Sequence, residues 1–315
     1  MPIPSRSSCL CLTLHSLARN LYTSSARFVF ELLQNADDNH YTAARAAGEP
    51  PQVSFHVYDN HIVIDCNEDG FTDKNLTAIS KVGASSKSGA QGYIGEKGIG
   101  FKSVFMAAHK VIIQSGHFSF FFQHRKGDSG MGMITPIWHE QGAYLGDKIT
   151  RMTIVLLEDS TAEETARQRG IIREEFLGIH DTILLFMNNL RKITVSFYDC
   201  EMHESPDEPE RTITFSVSHK EDGMVAVSKT TTSRTEDDKE DIRYYHTTKH
   251  LATDLPKSEN RTYSVAEEES KSYSTAEIVL AFPLTADSVP LPDHQCVFAF
   301  LPIRKTGFKV HRVSC

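Results

Sequence analysis

Apolar and polar positions follow two different periods along this chain, and the changes of period mark its elements. Phe28, Val29, Leu32, Leu33 and Ala36 recur at helical spacing and leave Glu31, Gln34, Asn35 and Asp38 on the other flank. This predicts an amphipathic helix with one core face. Val53, Phe55 and Val57 then alternate with polar neighbours, Asp59-Asn60 supplies a turn, and His61–Cys66 returns as a second strand. Thr72–Lys81 reads as a short helix ended by Gly83. The run Ile99–Ala108 reads as another helix, and Lys110–Ser115, Phe118–Gln123 and Met152–Leu157 as strands. Ala162–Leu190 has helical spacing with a break near Gly170, and it leads into the strand Ile193–Tyr198.

The pattern changes after residue 200. Residues 201–273 are acidic and rich in Ser and Thr, with an expected hairpin of Thr212–Ser218 and Met224–Ser228 about Glu221-Asp222-Gly223. The charged run Glu236–Asp241 reads as a solvated loop. Ile278–Phe282 and Val297–Leu301 return as apolar strands, but no helical pattern follows to cover a sheet before Cys315. That ending is expected of a fragment or a truncated gene. Residues 83–95, rich in Gly, Ser and Lys, have little to bury and are expected to be mobile.

Two segments carry chemistry. At positions i, i+4 and i+7, Glu31, Asn35 and Asp38 share one helix face. A carboxylate and an amide there offer oxygen ligands for Mg²⁺, which takes its remaining ligands from water and phosphates. A carboxylate one turn away can orient and deprotonate a water. A solvated polar stripe is the plainer alternative. Gly95, Gly98 and Gly100 let the backbone lie close to a ligand, and the N–H groups of the helix expected after them suit a phosphate chain. Here the plainer alternative is a turn before a core helix. Generic motifs do not fit: Phe101 separates Gly100 from Lys102-Ser103, so there is no P-loop, and Ser103 stands where a dinucleotide fingerprint needs glycine.

The helix segment Glu31-Leu32-Leu33-Gln34-Asn35-Ala36-Asp37-Asp38, the turn Asn67-Glu68-Asp69-Gly70-Phe71 and the loop Gly95-Glu96-Lys97-Gly98-Ile99-Gly100-Phe101-Lys102-Ser103 follow in that order. Together they resemble the GHKL ATPases, and within them the sacsin and NO VEIN type of heat-shock-like ATPase domain. The resemblance extends over residues 13–190. Leu17–Tyr22 is similar to that family's first helix, Val82–Lys87 to its nucleotide lid, and Thr153 to a threonine near the adenine. It implies an α+β Bergerat fold, a two-layer sandwich of a mixed, mostly antiparallel sheet with helices on one face. That ATP-binding domain would span 1–190, with a partial transducer-like α/β or mostly β domain over 191–315. It implies ATP and Mg²⁺ as cofactors and slow hydrolysis in a chaperone-like or regulatory ATPase. Glu31 would be the general base and Asn35 the metal ligand. Asn35, Asp38, Asn67, Asp69, Gly70, Lys87, Gly95, Lys97, Gly98, Ile99, Gly100, Phe101 and Thr153 would bind the nucleotide. The turn departs from the family's Asp-x-Gly-x-Gly, so Asn67, Asp65 or a water is left to read the adenine. A non-hydrolysing nucleotide switch or scaffold is the alternative. Histidine-kinase-like phosphotransfer is disfavoured because Glu31 supplies a base for water and no phospho-acceptor helix pair is visible. A protein client or a homodimer partner is expected.

Composition narrows the setting. The 315 residues are 40% hydrophobic and 23% charged, as in an ordinary soluble globular protein. A net charge of −8 without a dense basic cluster argues against nucleic acid as the main partner, and no stretch approaches the ~20 apolar residues of a membrane span. The six cysteines show no Cys-x-x-Cys spacing and read as reduced thiols of a protein of the cytoplasm or nucleus. Arg6, Arg19 and Arg27, among serines and without acidic residues over 1–30, give a transit-peptide composition and a mitochondrial alternative. Leu14, Leu17 and Leu21 oppose it, because cleavage there would remove part of the expected first helix.

Overall fold

The computed structural model describes residues 28–80, 100–125, 128, 131–140, 145, 149–158, 161–199, 208–220, 223–257, 268, 272–291, 294–299 and 301–309. Among the described residues, helices α1 (Phe28–Asp37), α2 (Thr42–Ala46), α3 (Asp73–Ile79) and α4 (Ala162–Leu177) accompany thirteen strands. The strands are β1 (Gln52–Val57), β2 (His61–Cys66), β3 (Ala108–Ser115), β4 (Phe118–Gln123), β5 (Ile137–Trp138), β6 (Thr150–Leu156) and β7 (Lys192–Phe197). They continue with β8 (Arg211–His219), β9 (Met224–Ser233), β10 (Lys239–Ala252), β11 (Ala276–Leu284), β12 (His294–Ala299) and β13 (Leu301–Lys309). Eleven of them form one sheet in the order β11-β10-β9-β8-β7-β1-β2-β6-β3-β4-β5, and β12 pairs with β13 separately.

Side-chain alternation sets the faces of this sheet. Val53, Phe55 and Val57 of β1 and Ile193, Val195 and Phe197 of β7 are all buried. They lie on one face because β7 runs parallel to β1 with Val53 beside Ile193 and Phe55 beside Val195. The crossover between the two strands contains α4, whose Phe176 meets the Phe55 ring at 5.1 Å. Arg173, also on α4, lies over the Phe197 ring at 4.6 Å. The opposite face is hydroxylated: Ser54, Thr194, Thr214 and Thr230 stand in register across β1, β7, β8 and β9. Ser216 and Ser228 bond there at 2.7 Å.

The expected α+β Bergerat-fold two-layer sandwich, followed by a partial second domain, is overturned by this topology. β7 pairs with β1 on one edge and with β8 on the other, so residues 211–284 extend the same sheet to eleven strands. Helices layer it sparsely: among the described residues only α1 and α4 exceed seven residues. The physical reason is continuity of period. Ile213 and Phe215 of β8 and Val225 and Val227 of β9 are buried, and the register brings Phe215 beside Ile193 and Val227 beside Val217. The buried face of β7 therefore continues outward without a break.

Three local expectations also change. The helix expected over 99–108 is a 3-10 helix, Gly100–Met106, and β3 begins at Ala108. The helical stretch expected to reach Leu190 ends at Leu177, with Gly178 capping α4 and a short 3-10 helix at Asp181–Leu185. The charged run Glu236–Asp241 enters β10 at Lys239, with its charges exposed and paired as Lys239–Glu236 and Arg243–Asp241. The hairpins over 52–66 and 211–233, the strands β3, β4 and β6, and a Thr72-capped α3 stand where the sequence pattern puts them. No helix among the described residues is long and apolar enough to cross a membrane.

The sheet's packing sets one expected outcome. Phe55 is fully buried, so Phe55→Ala is expected to destabilise the fold by about 3–5 kcal/mol. Leu251→Ala, at a side chain 61% exposed, should cost less than about 1 kcal/mol. Urea unfolding of both variants measures the difference.

Candidate functional site

α1 turns Phe28, Val29, Leu32 and Leu33 into the core and leaves Glu31 and Asn35 half-buried, one turn apart on the same flank. Asp38 follows the last helical residue and is itself buried, its amide donating to the Gln34 carbonyl at 3.0 Å. The same helix packs against the 3-10 helix that opens at Gly100. Glu31, Asn35 and the entry of that helix are thus carried on packed neighbours. Phe101 points into packing, with its ring edge-on to Phe105 and Phe122 at 6.3 and 5.9 Å. Lys87, Gly95, Lys97, Gly98 and Ile99 lie outside the described residues.

The turn after β2 does structural work with the side chains expected at a nucleotide. Asn67 accepts from the Gln52 amide at 2.8 Å and donates to the Pro50 carbonyl at 3.0 Å, closing the open end of the β1–β2 hairpin. Asp69 accepts from the Thr42 and Ala43 amides at 2.9 and 2.8 Å, satisfying the first N–H groups of α2. Burial tends to raise the Asp69 pKa, but the hydrogen bonds from Ala43 and Thr42 outweigh it and hold the carboxyl below its ordinary value. Gly70 has φ +89°, where a side chain would be strained. Asp65, the other residue considered for the adenine, holds Arg151 through two bonds of 2.7 Å. Thr153 alternates with Met152 and Ile154, which pack in the core, so it stands on the opposite face of β6 beside Arg151. The structure does not bring Thr153 to the face that α1 covers.

Sequence reasoning missed three buried groups beside this site. The Asp37 carboxylate, fully buried, accepts from the amides of Asn188, Asn189 and Leu190, each at 2.8 Å. Its carbonyl accepts from Asn189 Nδ2 at 2.8 Å, and Asn189 Oδ1 accepts from Arg45 at 2.7 Å. The signal was present: paired acids at a helix C-terminus oppose its negative dipole end and need donors from elsewhere. Tyr41, also fully buried, donates to the Ala36 carbonyl at 2.7 Å and lies 3.1 Å from the Cys66 sulfur. Burial pushes the Cys66 thiol up to about 12 and the Tyr41 phenol well above the usual tyrosine range, so both stay neutral. Lys102 is the third. Its ammonium donates to the Ile79 carbonyl at 2.6 Å and to the Met133 carbonyl, and lies over the Phe122 ring at 4.6 Å. Burial lowers its pKa to about 7. A single lysine among Phe101, Val104 and Phe105 was the signal for it.

Among the described residues no three His, Cys, Asp or Glu side chains cluster as a metal cage. Glu31 and Asn35 instead offer two oxygen donors on one helix flank, a set that suits a hard ion completed by water and phosphate.

Residues 9–123, which include the α1 segment, the turn and the glycine loop, match the family model of the Sacsin domain. The chain is 32% identical over 190 residues to Protein NO VEIN of Arabidopsis thaliana, covering 57% of this chain and 7% of that protein. It thus spans a small part of the curated relative it matches. Part of the chain is thus similar to the Sacsin domain and to a segment of NO VEIN.

Two outcomes follow from the buried groups. Asp37→Ala leaves three backbone amides without their acceptor and is expected to cost about 3–5 kcal/mol, against about 1 kcal/mol for Asp69→Ala at the exposed cap. Equal urea midpoints for the two would mean that Asp37 is not the lock described. The Lys102 pKa is lowered in the fold, so between its folded value of about 7 and its ordinary 10.5 the unfolded chain binds the extra proton. Stability is therefore expected to rise with pH from about 7, most visibly below about pH 9, where the unfolded chain starts to ionise Cys66. Unfolding midpoints of wild type and Lys102→Met across that window measure this, and the variant should lose the rise.

Proposed function

We propose that this chain is a magnesium-dependent ATP-binding module of GHKL type with slow hydrolysis, serving an intracellular chaperone-like or regulatory protein. The observation that carries this reading is the pair Glu31 and Asn35. They are half-buried one turn apart on α1, and α1 packs on the 3-10 helix entered from the glycine-rich loop at Gly100. The Sacsin-domain match over residues 9–123 spans all these parts and supports it. Asn35 would hold Mg²⁺ through its amide oxygen, with Glu31 on the neighbouring turn. Bound Mg²⁺ would supply neutralisation of phosphate charge. Glu31 would orient a water and accept its proton, and α1, fixed by its core face and by Asp37 at its end, would keep that carboxylate from wandering. Asn67 and Asp69 enter this reading as supports of the turn after β2 rather than as ligands, because their side chains are bonded to backbone.

Calorimetry with ATP and Mg²⁺, beside a steady-state phosphate-release assay, tests the proposal. Glu31→Ala is expected to keep ATP affinity and lose turnover by about 10²–10⁴-fold, the usual cost of removing a general base. Asn35→Ala should weaken binding only when Mg²⁺ is present. Binding without turnover in the wild type would leave a nucleotide switch or scaffold, and no ATP binding by the folded chain would end the proposal.

A further inference from the structure

β11 forms one edge of the eleven-stranded sheet. Its pairing with β10 runs antiparallel from Tyr244↔Leu284 to Ala252↔Ala276. The direction of its other backbone groups follows from a turn at its end. The Pro283 carbonyl accepts from the Leu291 amide at 2.9 Å, and the Thr285 amide donates to the Val289 carbonyl at 2.8 Å. Residues 285–291 therefore fold back along the outer side of β11 and cover it at Pro283 and Leu284. Groups of the same parity point to the same side. The N–H and C=O groups of Glu277, Val279 and Ala281 thus face outward, and no strand pairs with them among the described residues.

The common guards of an edge are missing over this stretch. Ile278 and Leu280 are 44% and 46% exposed on one face, Pro283 lies beyond the open part, and the single charge is Glu277, paired with Lys249 at 2.8 Å. We propose that β11 pairs antiparallel with β11 of a second copy, about a two-fold axis through Val279.

The strand's own sequence selects this partner and this register. With the axis at Val279, Val279 opposes itself, Glu277 opposes Ala281, and Ile278 opposes Leu280. All three outward-facing residues of each copy are then hydrogen-bonded, and the exposed Ile278 and Leu280 of the two copies form one apolar row. Moving the axis toward the N-terminus brings the two Glu277 side chains face to face or leaves Ala281 opposite residues before the strand. Like charges directly opposite each other destabilise an antiparallel pair. Moving it toward the C-terminus sets Glu277 or Val279 against the end covered by residues 285–291, where Pro283 has no N–H to give. A parallel pair in register would stack Glu277 on Glu277.

Analytical ultracentrifugation of the full chain over a range of concentrations tests the pairing, with variants chosen to spare the fold. Val279→Pro removes only an outward N–H, so the β10–β11 ladder keeps its bonds; it is expected to reduce a dimer to a monomer. Leu280→Lys places charges in the apolar row and should do the same by another route. Val279→Cys should give a disulfide-linked dimer on oxidation, because opposed residues across a two-fold lie within bridging distance. Glu277→Cys should add nothing over the wild-type background, since its symmetry mate is four residues along the strand. A wild-type monomer at all concentrations would overturn the proposal. So would a dimer or larger aggregate that persists in folded Val279→Pro and Leu280→Lys, or an oxidised dimer formed as readily through Glu277→Cys as through Val279→Cys.

Discussion

The fold turns on the carboxylate of Asp37. It sits at the end of the helix that bears Glu31 and Asn35, has no exposed surface, and gathers the three successive amides that lead into β7. A buried carboxylate without donors is among the costliest things a protein can hold, so this geometry accepts little displacement. Through it α1 is fixed to the strand that lies against β1 and carries the sheet on into β8. The flank with the candidate ligands and the distant junction of β1 with β7 are thus held by one side chain.

Around that lock the molecule divides its polar groups by task. Asn67 and Asp69 satisfy backbone donors and acceptors at the turn, Asp65 holds Arg151, and Tyr41 and Cys66 stay neutral in the core. Glu31 and Asn35 lie on a half-buried flank of the helix that packs on the 3-10 helix. Lys102 ties the end of α3 and the turn at Met133 to the aromatic face of β4 from inside.

Much of this was legible in the residue pattern, and the rest was hidden for identifiable reasons. The α1 stripe and the alternation of Val53, Phe55 and Val57 are local signals, since neighbours in sequence decide which face is buried. The same spacing put Glu31 and Asn35 on one flank, where the structure has them half-buried. The pairing of β7 with both β1 and β8 was not legible, because an alternating strand states its buried face but not its partners. A sandwich with a second domain fits the same alternation as one long sheet. Ile99–Ala108 looked helical from its apolar content, and that content does not distinguish an α-helix from the 3-10 helix Gly100–Met106 that gives way to β3 at Ala108. Asp37 read as one more acid of a motif, since its partners are 152 residues away at Asn189. Asn67 and Asp69 read as ligands, since short polar side chains at a turn serve backbone and ligand equally well.

The parallel seam between β1 and β7 also sets the order in which the molecule can form. The pairs β1–β2, β3–β4, β8–β9 and β9–β10 join neighbours in sequence and need only short loops to close. The seam, and Asp37 with it, must wait for residues near 190, and contacts so distant along the chain form slowly. During synthesis the candidate helix leaves the ribosome long before its lock exists. Until then β1 keeps an open edge and Asp37 lacks its donors. The first half of this chain becomes itself only when a strand from beyond it arrives.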